Sequence, residues 1–306
     1  MIGGIDLGGT KIEARLFGGP GGTARAVRRV PTPTDSFARM VEALQDQIAW
    51  LDSEAGDPAL PVGVAVPGVV DPATGALGAA NIPSDGSSLQ AALEARARRP
   101  VPVVNDGLAF ALSEARAGEG DGAPGCVVGL VFGTGLGGGV ATGGALPPRA
   151  HGLGVEIGHI GLPARALLRH GLPLWTCGCG KTGCLESYLS GPGLRALGRW
   201  RTGHPLSGPE IAAGHPDGEA VLDLWADLAG DGLQAAVLAF DPDEIVLGGG
   251  LSNLPGIDRR LAAALERHAL LGVRPPRVRL SRHGDASGAR GAAILAADAA
   301  GRDAPC

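Results

Sequence analysis

The chain contains no long apolar run and no surplus of basic residues. Among its 306 residues, no segment approaches the roughly 18 consecutive apolar residues that a membrane-spanning helix needs. The formal net charge of −5 offers no general attraction to nucleic acid or to an anionic membrane. The first residues enter a strand-like segment directly, without a basic region or a cleavable apolar stretch, so we expect no signal peptide and a cytoplasmic location.

Cysteine is scarce, and its few copies are unevenly placed. Three of the five cysteines, Cys177, Cys179 and Cys184, fall within eight residues. This clustering is typical of a metal site in a reducing compartment and not of a disulfide framework. Cys126 is expected in the core of a strand, and Cys306 is a thiol in the tail.

A histidine upstream completes a set of metal ligands. Cys-x-Cys-x4-Cys together with His159 supplies the four ligands of a closed tetrahedral zinc site. Glu156 and Glu186 flank the cluster, so a bound zinc ion would rigidify a loop that carries two carboxylates. The alternative, reduced thiols in an ordinary turn, is disfavoured by the density of cysteine and glycine.

The order of elements predicts two similar α/β halves. Strands are expected over 2–7, 12–17 and 24–30, followed by a helix over 36–51 capped by Asp35. A second series of strands begins at Cys126, and a long helix is expected over 218–240. The recurring order of strand, glycine-rich turn, strand and helices indicates two packed domains hinged around a cleft. The expected domains are residues 1–106 with 289–306, and residues 107–288.

Glycine-rich turns join the first two strands of each half. They are Asp6-Leu7-Gly8-Gly9-Thr10-Lys11 and Gly133-Thr134-Gly135-Leu136-Gly137-Gly138-Gly139. Glycine permits positive φ and close backbone approach, so successive N–H groups can converge on an anion. Two such turns predict a polyphosphate held between the halves.

Two other nucleotide motifs fail on their context. Gly133-x-Gly135-x-x-Gly138 matches a Rossmann fingerprint, but the chain continues as strand and turn where that motif must open a helix. Gly180-Lys181-Thr182 imitates the end of a P-loop, but Trp175 stands where the first glycine is required.

Asp106 is the candidate catalytic base. It closes an apolar strand after Asn105 and precedes a helix, so it is either the cap of that helix or a general base that accepts a proton from a hydroxyl. Phosphoryl transfer needs little more from side chains than positioning, charge stabilisation and magnesium. Asp6, beside the first glycine turn, is placed to hold magnesium through water. Its structural alternative is a turn carboxylate bonded to nearby amides.

These motifs together resemble the ROK sugar kinases of the actin–hexokinase–Hsp70 superfamily. The matching segments run through almost the whole chain in the order of the family. They are the Asp6–Lys11 turn, Pro67-Gly68, Asn105-Asp106, the Gly133–Gly139 turn, Glu156-x-Gly158-His159, the Cys177–Glu186 cluster and Gly248-Gly249-Gly250. The resemblance implies two actin/hexokinase-like (RNase H-like) α/β domains facing an interdomain cleft.

The resemblance also implies a role for each site residue. Asp106 would be the base toward the sugar 6-hydroxyl, and Mg²⁺ would accompany ATP. The sugar-binding residues would be Asn81, Asn105, Asp106, Glu156, His159 and Glu186. The structural zinc ligands would be His159, Cys177, Cys179 and Cys184. The residues around ATP would be Asp6, Gly8, Gly9, Thr10, Lys11, Gly133, Thr134 and Gly135 at the phosphates, and Gly249 near the adenosine.

Within the family, the sequence is most similar to the branch that phosphorylates N-acetyl-D-glucosamine. Glucokinase, fructokinase or mannokinase activity remains an alternative, as does a non-catalytic sugar-binding sensor. Family repressors carry a helix-turn-helix domain before the first glycine turn, whereas here that turn begins almost at Met1. Leu108 departs from the family pattern, which has asparagine there, and could disturb Asp106. The expected partners are ATP and a hexose or N-acetylhexosamine, and a homodimer is expected.

Overall fold

The computed structural model describes residues 1–117 and 125–301, and the chain divides into two compact units. The first unit comprises Met1–Ala123, Gly139–Gly154 and Arg282–Cys306, and the second comprises Pro124–Gly138 and Val155–Ser281. Both units combine β-strands with α-helices, as predicted for an α/β chain. The tail thiol Cys306 lies outside the described residues.

The elements are numbered in chain order. The strands are β1 (Ile2–Leu7), β2 (Lys11–Phe17), β3 (Ala24–Pro31), β4 (Val62–Val66), β5 (Val69–Val70), β6 (Leu77–Gly78), β7 (Val103–Asn105), β8 (Cys126–Phe132), β9 (Leu136–Thr142), β10 (Glu244–Gly248) and β11 (Arg277–Leu280). The helices are α1 (Phe37–Ala55), α2 (Leu89–Ala97), α3 (Asp106–Ala115), α4 (Ala164–His170), α5 (Glu186–Leu189), α6 (Gly191–Thr202), α7 (Gly208–Ala212), α8 (Gly218–Gly232), α9 (Gln234–Phe240), α10 (Ile257–His268) and α11 (Ser287–Ala299). Of the helices described, none has both the length and the apolar character needed to cross a membrane.

The first unit is built on a five-stranded sheet of order β3-β2-β1-β4-β7. β1, β2 and β3 are antiparallel neighbours, whereas β4 is parallel to β1 and β7 is parallel to β4. The carboxyl ends of β1, β4 and β7 therefore meet at one edge of the sheet. That edge is where the sequence places Asp6, Pro67 and Asn105.

Helix α1 buries the apolar residues that the sequence pattern predicted, but its N-cap is a different residue from the predicted one. Its apolar face, including Met40, Leu44 and Ile48, is fully buried in the core of the first unit. The predicted cap Asp35 is wrong, because the Ser36 hydroxyl accepts the hydrogen bond from the Arg39 amide. The Asp35 carboxylate instead pairs with the Arg39 guanidinium, one helical turn further along the chain.

Helix α11 lies directly against the first sheet and against α3. A Cβ atom built on Gly4 would lie 1.8 Å from the Ala289 carbonyl oxygen, and one on Gly63 would lie 2.1 Å from that of Ala292. Between α11 and α3, a Cβ on Gly291 would lie 1.8 Å from the Ala109 carbonyl oxygen. These glycines let the backbones of β1, β4 and α3 approach that of α11 more closely than any side chain permits.

The contact between α11 and α3 also determines where the first unit ends. The sequence predicts a boundary at residue 106, which would assign α3 to the second domain. In the structure α3 belongs to the first unit, as do residues 139–154 and 282–288. Close packing of Gly291 on Ala109 explains why α3 stays with α11.

We predict that Gly291→Ala destabilises the protein by about 1–3 kcal/mol, the usual cost of overpacking. The added methyl group would have to displace backbone, since the nearest atom is the Ala109 carbonyl oxygen. Urea unfolding measures the effect. Gly78→Ala is the matched control, because a Cβ there meets its nearest atom at 3.9 Å. Equal stability of the two variants would contradict the close approach.

The second unit is organised around parallel strands. β8 and β11 flank β10 on either side, both parallel to it, and the sheet order is β11-β10-β8-β9. Every residue of β10 is buried. The predicted long helix over 218–240 is divided into α8 and α9 at Leu233. Position 230 in α8 is occupied by glycine, and a Cβ there would come within 2.6 Å of the Ala264 side chain in α10.

Candidate active site

Asp106 begins α3 but does not cap it. The Asn105 side chain accepts the Leu108 amide at 3.1 Å and so caps the helix. The Asn105 amide group also donates to the Gly68 carbonyl at 3.0 Å, which ties it to the end of β4. The capping alternative for Asp106 is therefore wrong. Its carboxylate is exposed at the sheet edge and accepts the Gly107 amide at 2.8 Å.

Asp6 lies at the same edge of the first sheet, as the second-last residue of β1. Burial, the neighbouring charge of Asp106 and that of Glu13 raise the pKa of Asp6 to about 7. A Cβ built on Gly288 would lie 3.2 Å from the Asp6 carboxyl carbon, so the start of α11 contacts this group. Two carboxylates close enough to interact make this edge a place where a cation would be favoured.

The raised pKa predicts a pH-dependent stability of the ligand-free protein. The Asp6 pKa lies above its ordinary value of 3.8, so the folded state binds more protons than the unfolded state between about pH 4 and pH 7. The contribution of this group to the free energy of unfolding is present below that window and is lost as the pH rises through 7.

Asp6→Asn removes that titration. We expect the variant to gain stability relative to the wild type between about pH 5 and about pH 8, as measured by urea unfolding. Asp35→Asn replaces an exposed carboxylate, so the change in its free energy of unfolding between those two pH values should equal that of the wild type. A stability difference for Asp6→Asn that is independent of pH would contradict the raised pKa.

The first glycine turn is a tight hairpin next to Asn81. The Gly8 amide donates to the Lys11 carbonyl at 2.8 Å, and the Thr32 hydroxyl donates to the Gly8 carbonyl at 2.7 Å. Neither Gly8 nor Gly9 has positive φ, so this turn does not use that freedom of glycine. Close approach does hold: a Cβ on Gly9 would lie 3.1 Å from the Asn81 carbonyl oxygen. Thr10 is exposed at the tip.

Three cations surround a buried carboxylate beside this turn. Glu13 is 2% exposed and pairs with Lys11 at 3.5 Å, with Arg15 at 2.5 Å and with Arg29. Burial acts to raise the pKa of Glu13, but hydrogen bonds from Arg29 and Arg15 leave it below its usual value. Because one carboxylate faces three cations, the strands that carry the turn have an excess of positive charge. Sequence reasoning found only Lys11; the others required the register that sets Glu13 opposite Arg29.

The second glycine turn, in the second unit, lies beside Gly249. The Gly133 amide donates to the Gly135 carbonyl at 3.0 Å, and the Gly191 amide donates to the Gly133 carbonyl at 2.7 Å. Gly249 follows β10 with φ of 80°, and a Cβ there would lie 2.6 Å from the Phe132 carbonyl oxygen. The structure thus brings Gly249 against the residue that precedes Gly133.

Glu186 connects this turn to the cysteine cluster. One carboxylate oxygen accepts the Leu136 amide at 2.9 Å and would lie 2.7 Å from a Cβ on Gly135. The other lies 3.6 Å from the Cys177 sulfur. Any side chain at position 135 would therefore displace the carboxylate.

The four predicted metal ligands come together in the second unit. The donor atoms of His159, Cys177, Cys179 and Cys184 all lie within 4.8 Å of one another. Cys177 Sγ is 3.7 Å from His159 Nδ1, and Cys179 Sγ is 3.7 Å from Cys184 Sγ. A tetrahedron with zinc–sulfur bonds of about 2.3 Å has ligand separations of about 3.8 Å. The donor set and its spacing therefore fit a closed zinc site.

The backbone around these ligands is held by short turns. The Cys177 amide donates to the Lys181 carbonyl at 2.8 Å, and the Gly180 amide donates to the Cys177 carbonyl at 3.0 Å. Gly158 stands between Glu156 and His159 because a Cβ there would lie 2.0 Å from the Leu136 carbonyl oxygen. Glu156 is exposed, and His159 is partly exposed.

A groove of about 540 Å³ runs beside the second turn and the cluster. Its lining includes Thr134, Cys177 and Glu186, together with Arg199 and Trp200 of α6. Neither α6 residue was identified from the sequence. The available signal was weak: Trp200 is one of four tryptophans in an aromatic-poor chain.

A sequence model of the ROK family matches residues 2–299. The chain belongs to the ROK family. A ROK hexokinase from Thermus thermophilus has a similar structure, with a TM-score of 0.82 and 35% identity over 99% of both chains. The predicted actin/hexokinase-like class of α/β fold is confirmed by this similarity.

Two further relatives are named for the sugars on which they act. An N-acetyl-D-glucosamine kinase from Escherichia coli O1:K1 / APEC is 42% identical over 302 residues, covering 96% of this chain and 99% of that protein. A ROK family glucokinase from Streptomyces griseus was solved in complex with glucose and AMPPNP. Its TM-score is 0.77 at 29% identity, over 97% of this chain and 99% of that one.

The predicted sugar-binding residues of this ROK chain are divided between the units. Asn81, Asn105 and Asp106 belong to the first unit, and Glu156, His159 and Glu186 belong to the second. In the second unit the His159 amide donates to the Glu156 carbonyl at 3.1 Å, and Glu186 contacts the Cys177 sulfur.

Leu108, where this ROK chain departs from the family pattern, leaves the helix cap intact. Its amide still donates to Asn105, and its side chain is buried beside Val104 and Ala109. A Cβ on Gly139 would lie 2.7 Å from the Leu108 Cα, so strand β9 passes directly over the start of α3. An apolar side chain suits this packed position.

Proposed function

We propose that the chain is an ATP-dependent sugar kinase that phosphorylates the 6-hydroxyl of N-acetyl-D-glucosamine. The observation that carries the activity is the arrangement at Asp106: Asn105 caps the helix, so the neighbouring carboxylate is exposed for chemistry. The choice of sugar is supported by the 42% identity to the Escherichia coli N-acetyl-D-glucosamine kinase over nearly the full length of both chains.

In the proposed reaction, Asp106 accepts the proton of the sugar 6-hydroxyl. The hydroxyl oxygen attacks the γ-phosphorus of ATP, a new O–P bond forms, and the bond to the β-phosphate oxygen breaks with release of ADP. The proton remains on the Asp106 carboxyl group until it passes to water. The amides of Gly8 and Gly133 donate within their turns, so the other backbone N–H groups of the two turns are the ones proposed to contact the phosphates. The cations around Glu13 add positive charge beside the first turn.

Two metal ions belong to the proposal. Mg²⁺ would accompany ATP and neutralise phosphate charge, and Asp6 is the residue proposed to hold it through water. Structural Zn²⁺ would be held by His159, Cys177, Cys179 and Cys184, whose spacing suits tetrahedral coordination. Zinc would fix the positions of His159 and of Glu186, the latter through its contact with Cys177.

The nucleotide and the sugar would use different parts of the second unit. Thr134 and Gly249 are proposed to contact ATP, because both lie at the second glycine turn. Glu156, His159 and Glu186 of the second unit are proposed to bind sugar hydroxyls, and Asn81 and Asn105 of the first unit are proposed as sugar-binding residues as well. Carboxylates and imidazoles suit this task, since they hydrogen-bond the paired hydroxyls of a hexose.

The second candidate is a sugar sensor without kinase activity, and Leu108 is the feature that raised it. The burial of Leu108 in an intact cap argues against a disturbed Asp106. A coupled assay for ADP across glucose, fructose, mannose, N-acetylmannosamine and N-acetyl-D-glucosamine distinguishes the candidates. We expect the highest kcat/KM with N-acetyl-D-glucosamine. Sugar binding without ADP formation would reject the kinase, and a higher value for another hexose would reject the substrate.

A homodimer and a cytoplasmic location remain predictions from the sequence. Multi-angle light scattering of the purified chain measures the first, and cell fractionation measures the second.

A further inference from the structure

Outside the proposed active site, two histidines and one aspartate of the second unit converge on one point. His204 follows the end of α6, His215 follows α7, and Asp217 immediately precedes α8. One donor atom from each lies within 4.8 Å of the other two. We call these three residues the loop cluster.

The distances within the loop cluster are close to those of a metal site. Asp217 Oδ2 lies 3.5 Å from His204 Nε2 and 3.9 Å from His215 Nδ1. A tetrahedral ion with nitrogen and oxygen ligands at about 2.0–2.1 Å needs separations of about 3.3 Å. Small side-chain rotations would close that gap, since all three side chains are on the surface or only partly buried.

Asp217 does not do what its position predicts. An aspartate at the N-cap of a helix as long as α8 ordinarily accepts a backbone N–H group of the first turn. Here the carboxylate makes no capping hydrogen bond and is directed toward the two imidazoles. The helix therefore forgoes a contact that is worth about 1 kcal/mol in other proteins.

A backbone hydrogen bond orients the imidazole of His215 in the loop cluster. The Asp217 amide donates to His215 Nδ1 at 3.2 Å, and an ion bound at that nitrogen would replace this hydrogen bond. Among the ion pairs found over residues 1–117 and 125–301, those of Asp217 are with these two histidines, so no lysine or arginine neutralises it.

We propose that the loop cluster is a second metal site, which takes a divalent transition ion such as Zn²⁺, Co²⁺ or Ni²⁺. Two imidazoles and one carboxylate are the ligands of an open three-ligand site, with water in the fourth position. The site is distinct from the cysteine cluster and independent of which sugar the chain phosphorylates. A bound ion would join the end of α6, which lines the 540 Å³ groove, to the start of α8.

Cobalt distinguishes the two metal sites by their spectra. The full chain is loaded with one equivalent of Zn²⁺, which the thiolate-rich cysteine cluster should take first, and is then titrated with CoCl₂ while absorbance and heat are recorded. We expect one further equivalent of Co²⁺ whose spectrum lacks the near-ultraviolet thiolate-to-cobalt band. If the cysteine cluster held no zinc, its cobalt would show that band, so failure of the first site cannot be mistaken for occupancy of the second.

Three single variants test the ligands: His204→Ala, His215→Ala and Asp217→Asn. Each should weaken binding of the thiolate-free Co²⁺ by about tenfold or more. Asp217→Asn keeps a good capping residue at the start of α8, so it should fold normally. His151→Ala, at an exposed histidine of the first unit, is the control and should bind as the wild type does.

The proposal is overturned if the wild type takes up no thiolate-free cobalt. It is also overturned if any of the three ligand variants titrates like His151→Ala, because a three-ligand site needs every donor.

Discussion

Replacing Asp106 with asparagine should lower kcat by about 10²–10⁴-fold while sugar affinity stays within a small factor of the wild type. Asparagine has the same shape and can still accept the Gly107 amide, but it cannot take a proton from the sugar hydroxyl. The helix cap is unaffected, since Asn105 supplies it. Steady-state ADP production gives kcat, and calorimetric titration of the sugar gives the affinity.

The matched control for this variant is Asp35→Asn. Asp35 is an exposed carboxylate of the same unit, it immediately precedes the cap of a helix, and it pairs with Arg39. Its replacement should leave kcat unchanged. If Asp106→Asn retained near-normal kcat, Asp106 would not be the base, and the catalytic proposal would fail with it.

Losing the cysteine cluster should have the second large effect. In Cys184→Ser we expect the loss of about one zinc ion per chain and a fall in Tm on the order of 10 °C, because a buried metal ligand is replaced. Sugar affinity should fall more than nucleotide affinity, because His159 and Glu186 depend on the cluster and the first glycine turn does not. Elemental analysis, thermal unfolding and calorimetry measure these changes.

Cys126→Ser separates the role of the cluster from a general effect of removing a thiol. Cys126 opens β8 and its sulfur lies 3.6 Å from the Phe240 carbonyl oxygen, outside the cluster. Its replacement should leave zinc content and sugar affinity unchanged. If removal of zinc left sugar binding intact in the wild type, the cluster would have no part in the sugar site.

Features encoded by local spacing were predictable from the sequence. The three cysteines of the candidate metal site lie close together in the chain, so their spacing predicted a cluster, and the structure brings His159 to it from further upstream. The apolar period of α1 likewise identified its buried face. Its cap was missed by one position, because Asp35 and Ser36 are both good caps and only backbone geometry selects between them.

Features that depend on register or on packing between distant segments were not predictable. The pairing of Glu13 with Arg29 needs the alignment of β2 and β3, which the sequence does not specify. The sequence did not predict the break between α8 and α9. The glycines near the break are required by their packing against other elements, which the local sequence does not show. Gly230 contacts Ala264 of α10, and Gly232 contacts Leu185 beside the cluster.

The packing of α11 on β1 and β4 has a consequence for folding during synthesis on the ribosome. The first unit needs a helix that is translated after the whole of the second unit, since α11 begins at Ser287 and the second unit ends at Ser281. Until α11 has been translated, the strands of the first sheet therefore lack the helix that covers one of their faces, whereas the second unit can already complete its core. Domains usually mature from the N-terminus as they emerge. In this chain the N-terminal sheet is the last part to be finished, and its half-covered strands are where chaperone binding during translation is expected.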